Sequence, residues 1–161
     1  MGLTLVGTAA GAIPARATGT HSDSCLATLV LSFDRPFGVV PTTASQRFGV
    51  HGYLSCPAAP STSMVSVLAT GNGAALAGSD CLDFLSIFGN VSFYLPWGRA
   101  DTIFQAAGPA ALQAWALTDA SGGTGFNGLA VLAWTSSGEQ LACAGGGTPT
   151  MTLTGSVTFG A

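Results

Sequence analysis

Thr150-Met151-Thr152-Leu153-Thr154-Gly155-Ser156-Val157-Thr158-Phe159 alternates apolar with small or hydroxyl-bearing residues. Met151, Leu153, Val157 and Phe159 share one parity, and Thr152, Thr154, Ser156 and Thr158 the other. A period of two puts the two sets on opposite faces of a strand, one against a core and one toward water. The segment is expected to be a half-buried strand that closes the fold.

Working back from it, short runs of the same kind recur between turn clusters. Phe126 to Trp134 reads as a strand, preceded by the turn-forming Ser121-Gly122-Gly123. Asn90 to Leu95 and Thr102 to Gln105 flank Pro96-Trp97-Gly98-Arg99, which reads as a hairpin loop. Pro109 to Leu117 allows two readings. Proline followed by Ala, Leu and Gln suits a helical turn, while Trp115 and Leu117 alternating with Ala116 suit a strand, which its neighbours favour. Residues 57 to 80 hold one strand-like piece near Met64 to Ala69 and otherwise read as exposed connection. About eight short strands are consistent with an all-β antiparallel sandwich or a small closed barrel, and the sequence leaves both open.

Composition supports the all-β reading and narrows the partners. Charged residues are 7% of the 161 and hydrophobic ones 48%, with 23 glycines, a balance suited to strands and tight turns rather than salt-bridged helices. No apolar run is long enough for a membrane-spanning helix. The basic residues are Arg16, Arg35, Arg47 and Arg99, and the net charge is −3. Four scattered arginines cannot form the basic stripe that a phosphate backbone requires, so no nucleic-acid partner is expected.

Residues 18–161 are expected to form a single domain. Residues 1–17 read either as the rear of a secretion signal or as an apolar tail. Gly2 to Ile13 is small and apolar, and Ala15-Arg16-Ala17 has the small-x-small form that signal peptidase cleaves, leaving Thr18 first in the mature chain. A positive leader is missing from this stretch.

Four cysteines without a Cys-x-x-Cys pair suit two disulfides in an oxidising compartment. Cys25 shares parity with Leu29, Leu31 and Phe33, and Cys56 shares parity with Phe48, Val50 and Leu54. Both sulfurs therefore face inward. If the two segments form a wide hairpin around residues 34 to 47, Cys25 and Cys56 meet at its open end. Cys81 is then left for Cys143.

Chemistry-bearing residues are few. His51 lies with Tyr53 on the face opposite Val50 and Leu54, which predicts an exposed strand histidine rather than a catalytic base. His21 beside Asp23 has no motif around it. Asp80 and Asp83 lack a calcium loop and read as turn caps, and Asp34-Arg35-Pro36 reads as a turn after the first strand. Gly145-Gly146-Gly147 lacks the Lys-Ser/Thr of a phosphate loop. No catalytic residue, metal ligand or cofactor is expected. Tyr94, Trp97 and Arg99 around the hairpin loop are the candidate binding residues, because Tyr, Trp and Arg are enriched at binding hot spots; the alternative is that Trp97 folds inward as a core lid.

Thr18-Gly19-Thr20 ahead of a cysteine, Tyr53-Leu54-Ser55-Cys56, Trp97 in a strand-turn-strand and the Gly-rich run Thr118 to Gly128 carry a resemblance. Across residues 18 to 159 the pattern resembles small exported, disulfide-bonded β-proteins of actinobacteria such as Streptomyces. That resemblance implies secretion and brings no catalytic residues. It is compatible with a small subunit of an exported assembly, including a toxin particle. The expected function is a non-catalytic secreted module that binds another protein or a surface glycan, the alternative being a hydrolase or enzyme inhibitor with a site the sequence does not reveal.

Overall fold

Side chains of one parity, from every strand, point to a single interior, and the sheet wraps around them until its first and last strands meet. The computed structural model describes residues 23–57, 63–96, 98–123 and 126–160. The strands are β1 (Asp23–Phe37), β2 (Gln46–Pro57), β3 (Met64–Ala75), β4 (Asp83–Leu95), β5 (Gly98–Pro109), β6 (Leu112–Asp119), β7 (Gly128–Trp134) and β8 (Thr148–Phe159), with one helix, α1 (Ser137–Ala144), between β7 and β8. Each strand pairs antiparallel with the next, and β8 pairs back onto β1 from Asp23↔Phe159 to Ser32↔Thr150. The fold is thus an all-β closed barrel. The expected closing strand is β8, bonded to β7 on one side and β1 on the other.

Eight strands enclose a lumen about wide enough for side chains to fill. Here they are Phe, Leu, Val, Met and Trp side chains, including Leu29, Leu31, Phe48, Val91, Phe104, Trp115, Met151 and Leu153. Rings run through it in sequence: Phe84 on Phe37 at 5.9 Å, Phe37 on Phe33 at 4.9 Å, Phe33 on Phe48 at 5.8 Å and Phe104 on Trp115 at 4.3 Å. Gly73 makes room for two of them, since a Cβ there would stand 2.9 Å from the ring tips of both Phe48 and Phe104.

Cys25 bonds to Cys56 and Cys81 to Cys143. The first pair follows the β1–β2 register, where Leu26 faces Ser55 and the Cα atoms of the two cysteines are 4.4 Å apart. Two segments differ from the sequence reading, and a third follows the strand reading that its neighbours favoured. β1 continues through Asp34-Arg35-Pro36 by way of a register shift and pairs Phe37 with Thr148, so that segment is an irregular strand rather than a turn. β3 runs on to Ala75, with Gly71-Asn72-Gly73 paired on both sides, where exposed connection was expected. Pro109 to Leu117 resolves into the end of β5 and most of β6, with Trp115 and Leu117 inward. Residues 1–17 and His21 lie outside the described residues.

Helix α1 was not expected. Ser136 caps it by accepting from the Glu139 backbone N–H at 3.2 Å. The Glu139 carboxylate then reaches away from the helix to the barrel wall. It accepts from Thr152 N at 2.6 Å, Thr150 Oγ1 at 2.8 Å, Thr152 Oγ1 at 2.9 Å and Trp134 Nε1 at 3.0 Å. Partial burial raises its pKa, but these four donors together outweigh that and hold the carboxyl below the usual glutamate value. A pKa depressed by folding stabilises the native state above the unfolded pKa, and the contribution disappears as pH falls through the folded value. Glu139→Gln is expected to cost about 2 kcal/mol at neutral pH, a figure kept below the sum of four charge-assisted bonds because solvent still reaches the group. Chemical denaturation from neutral to acid pH checks this: the gap between wild type and variant should close as the medium becomes acid.

Candidate functional site

Outward side chains come at every second residue, so strand register sorts the outer wall of β2 to β5 into rungs. Tyr53 faces Leu68, and Leu68 is one step before Ala69, the partner of Phe93, which sets it level with Tyr94; Tyr94 in turn faces Arg99. Tyr53, Leu68 and Tyr94 are 60%, 45% and 40% exposed, high values for large apolar groups in mid-sheet. Three neighbouring strands thus bring Tyr, Leu and Tyr to one row, Leu68 and Tyr94 standing one step past the last β3–β4 pair, Ala69↔Phe93.

Arg99 orders one end of this row. Its guanidinium lies 5.3 Å from the Tyr94 ring centroid, and its Nε donates to Asp101 Oδ1 at 2.7 Å. Ser92 Oγ donates to the same oxygen. The bond from Ser92, with that from Arg99, lowers the Asp101 pKa, and the hydrogen bond to Asp101 raises that of Arg99. The guanidinium is thereby held against the tyrosine, which limits the freedom Tyr94 would lose on binding. Tyr94 and Arg99 therefore meet, as the hairpin reading required. Leu95 pairs with Gly98, so the loop is tighter than Pro96 to Arg99 and Arg99 belongs to β5. Trp97 lies outside the described residues.

The next rung holds His51, Thr70, Ser92 and Asp101. A histidine, a serine and an aspartate share it, but β3 separates His51 from Ser92 by about 10 Å, far beyond hydrogen-bond reach. Ser92 donates its hydrogen bond to Asp101 instead. Asp80 Oδ1 accepts from the backbone N–H groups of Leu82 and Asp83 at 2.8 and 2.9 Å, the turn cap expected of it. Among the described residues no group of three or more His, Cys, Asp or Glu is placed to hold a metal, and no helix is long and apolar enough to cross a membrane.

One rung further, Gly49 faces Ser32 on one side and Asn72 on the other, and Asn72 faces Asn90. Gly49, Ser32 and Asn72, with Asp34 and Arg47, surround an open hollow of about 520 Å³ on the outside of the barrel. Sequence reading missed both this hollow and the Tyr53–Leu68 contribution. The outward parity of Tyr53 was legible, but pairing it with Leu68 and Tyr94 needs the register of three strands. Compared with known proteins, the chain matches no family model, no curated protein and no solved structure.

Proposed function

We propose that this chain is an exported, non-catalytic interaction module that binds a protein or a surface glycan through the outer wall of β2 to β5, with Tyr53, Leu68, Tyr94 and Arg99 as its centre. The observation that carries the reading is the exposed Tyr–Leu–Tyr row ending in an ordered arginine. Tyrosine and arginine concentrate binding energy because each combines a large contact area with directional hydrogen bonds. Closure of β1 onto β8 leaves the barrel without a first or last strand open along its length, which favours a face over strand addition. Two disulfides fit an oxidising, extracellular setting.

The test is a pair of variants, Tyr53→Ala and Tyr94→Ala, assayed for binding to intact cells of the source organism, to its purified surface polysaccharide and to its exported proteins. Each is expected to weaken binding by about 2 kcal/mol while leaving the melting temperature nearly unchanged, since neither ring supports the core. Unaltered binding by both variants would remove this face from consideration.

A further inference from the structure

We infer that the hollow outside Gly49 is a subsite for one neutral sugar ring of an oligosaccharide, an assignment that rests on the β2–β5 wall being the binding face. Gly49 stands apart from the other mid-strand glycines. A Cβ at Gly52, Gly71, Gly73, Gly89, Gly128 or Gly155 would lie 1.9 to 2.5 Å from a carbonyl oxygen of the adjoining strand, so close approach of backbones demands glycine there. At Gly49 a Cβ would meet nothing within 4 Å, and its φ lies outside the left-handed region. The fold has no need of glycine at this position, where it weakens a strand that a β-branched residue would favour. The register runs unbroken through Gly49, so it is no bulge, and a glycine there fits a place where a ligand approaches the backbone.

The rim chemistry indicates what approaches. Ser32, Asp34, Arg47 and Asn72 supply a hydroxyl, a carboxylate, a guanidinium and a carboxamide. The lining holds one guanidinium and one carboxylate, the latter also 4.0 Å from Arg35 Nε, so it is not built around a cluster of like charges. The lining supplies both donors and acceptors, which matches a ring whose hydroxyls do both. Gln46 Nε2 donates to Asp34 Oδ1 at 2.6 Å and fixes that carboxylate. The side chains of Ser32, Arg47 and Asn72 make no hydrogen bond or ion pair with other described residues, leaving them free to engage hydroxyls. The bare backbone of Gly49 offers a flat floor for the C–H face of the ring, and about 520 Å³ is ample for a small ligand. Four residues along β2, about 13 Å away, Tyr53 offers an aromatic face to a second sugar, which argues for a chain of sugars over a monosaccharide.

Gly49→Val tests the assignment, with Gly49→Ala as the smaller change should valine disturb the strand. The probes are the tetrasaccharides of β1,4-glucose, α1,4-glucose, β1,4-N-acetylglucosamine and α-mannose, titrated by calorimetry. The expected result is that at least one binds the wild type and that Gly49→Val weakens it about tenfold or more with no fall in melting temperature, because added methyl groups occupy the ring's place. Arg47→Ala should weaken the same sugar. Absence of binding by all four sugars, or equal binding by wild type and Gly49→Val, overturns the subsite. Two outcomes separate it from the broader reading. Loss of a protein partner on Tyr94→Ala with no sugar bound keeps the face and removes the subsite. Loss of sugar on Gly49→Val with none on Tyr53→Ala or Tyr94→Ala keeps the subsite and removes the tyrosine row.

Discussion

Trp115→Ala is expected to lower folding stability by about 3–5 kcal/mol, a large share of the roughly 5–15 kcal/mol that holds an ordinary domain together. Trp115 is wholly buried in the lumen, stacked on Phe104 with ring centroids 4.3 Å apart and planes 14° from parallel. Its removal leaves a void that barrel walls on all sides resist closing. A polar penalty adds to the void. Trp115 Nε1 donates to Gln113 Oε1 at 2.8 Å, and Gln113, 2% exposed, spends its own Nε2 on Ala110 O at 3.1 Å. The alanine variant strands that buried oxygen. Trp115→Phe restores most of the volume but not the donor and should cost about 1–3 kcal/mol, the price of an unsatisfied buried acceptor. Urea denaturation of the three proteins separates the two contributions. A loss below about 1 kcal/mol for Trp115→Ala would mean the lumen refills, contrary to the rigidity expected of a closed sheet.

What the sequence discloses here is parity, and what it withholds is register. Alternation in Thr150 to Phe159 places Met151, Leu153, Val157 and Phe159 in the core, and the same logic turns Cys25 and Cys56 toward each other. Neither says that β8 pairs with β1, which is the difference between a barrel and a sandwich. That depends on cumulative twist and strand tilt around all eight strands. Gly71-Asn72-Gly73 reads as loop because glycine and asparagine favour turns, yet Gly71 and Gly73 are glycines because β3 and β4 press together there. α1 escapes notice because it is eight residues long and buries a single side chain, Cys143, so it carries no apolar stripe. Ser136-Ser137-Gly138-Glu139 did hold a capping signature, Ser-x-x-Glu, that points to its start. The hairpin tyrosine and arginine were legible because both lie within six residues of one turn. Tyr53, Leu68 and the Gly49 hollow were not, because each requires neighbours from other strands.

Replacing Cys81 and Cys143 together with alanine is expected to cost about 4 kcal/mol, and more than replacing Cys25 and Cys56. Chain entropy alone separates the two pairs modestly, since the bridges span 62 and 31 residues and loop closure grows slowly with length, giving roughly 4.3 against 3.7 kcal/mol. Position widens the gap. Cys25 and Cys56 sit on paired strands, where ladder bonds around Leu26↔Ser55 hold their backbones together without the sulfur link. Cys81 lies between β3 and β4, and Cys143 on α1 between β7 and β8, elements that share no ladder. Their bond ties the connections at one mouth of the barrel across its diameter, where Cys81 N also donates to Gly38 O at 2.9 Å. Without it, α1 keeps Glu139 as its chief attachment, so loss of the disulfide and Glu139→Gln should together cost more than their sum. Denaturant titration of the two double-alanine proteins and of the triple variant measures both claims. Hydrogen exchange should rise first in α1 and around Phe37 and Phe84 at that mouth, while the β4–β5 hairpin at the opposite mouth stays protected. A smaller loss for Cys81 and Cys143 than for Cys25 and Cys56 would mean that the backbone bonds among those connections, and not the sulfur bridge, close that end of the barrel.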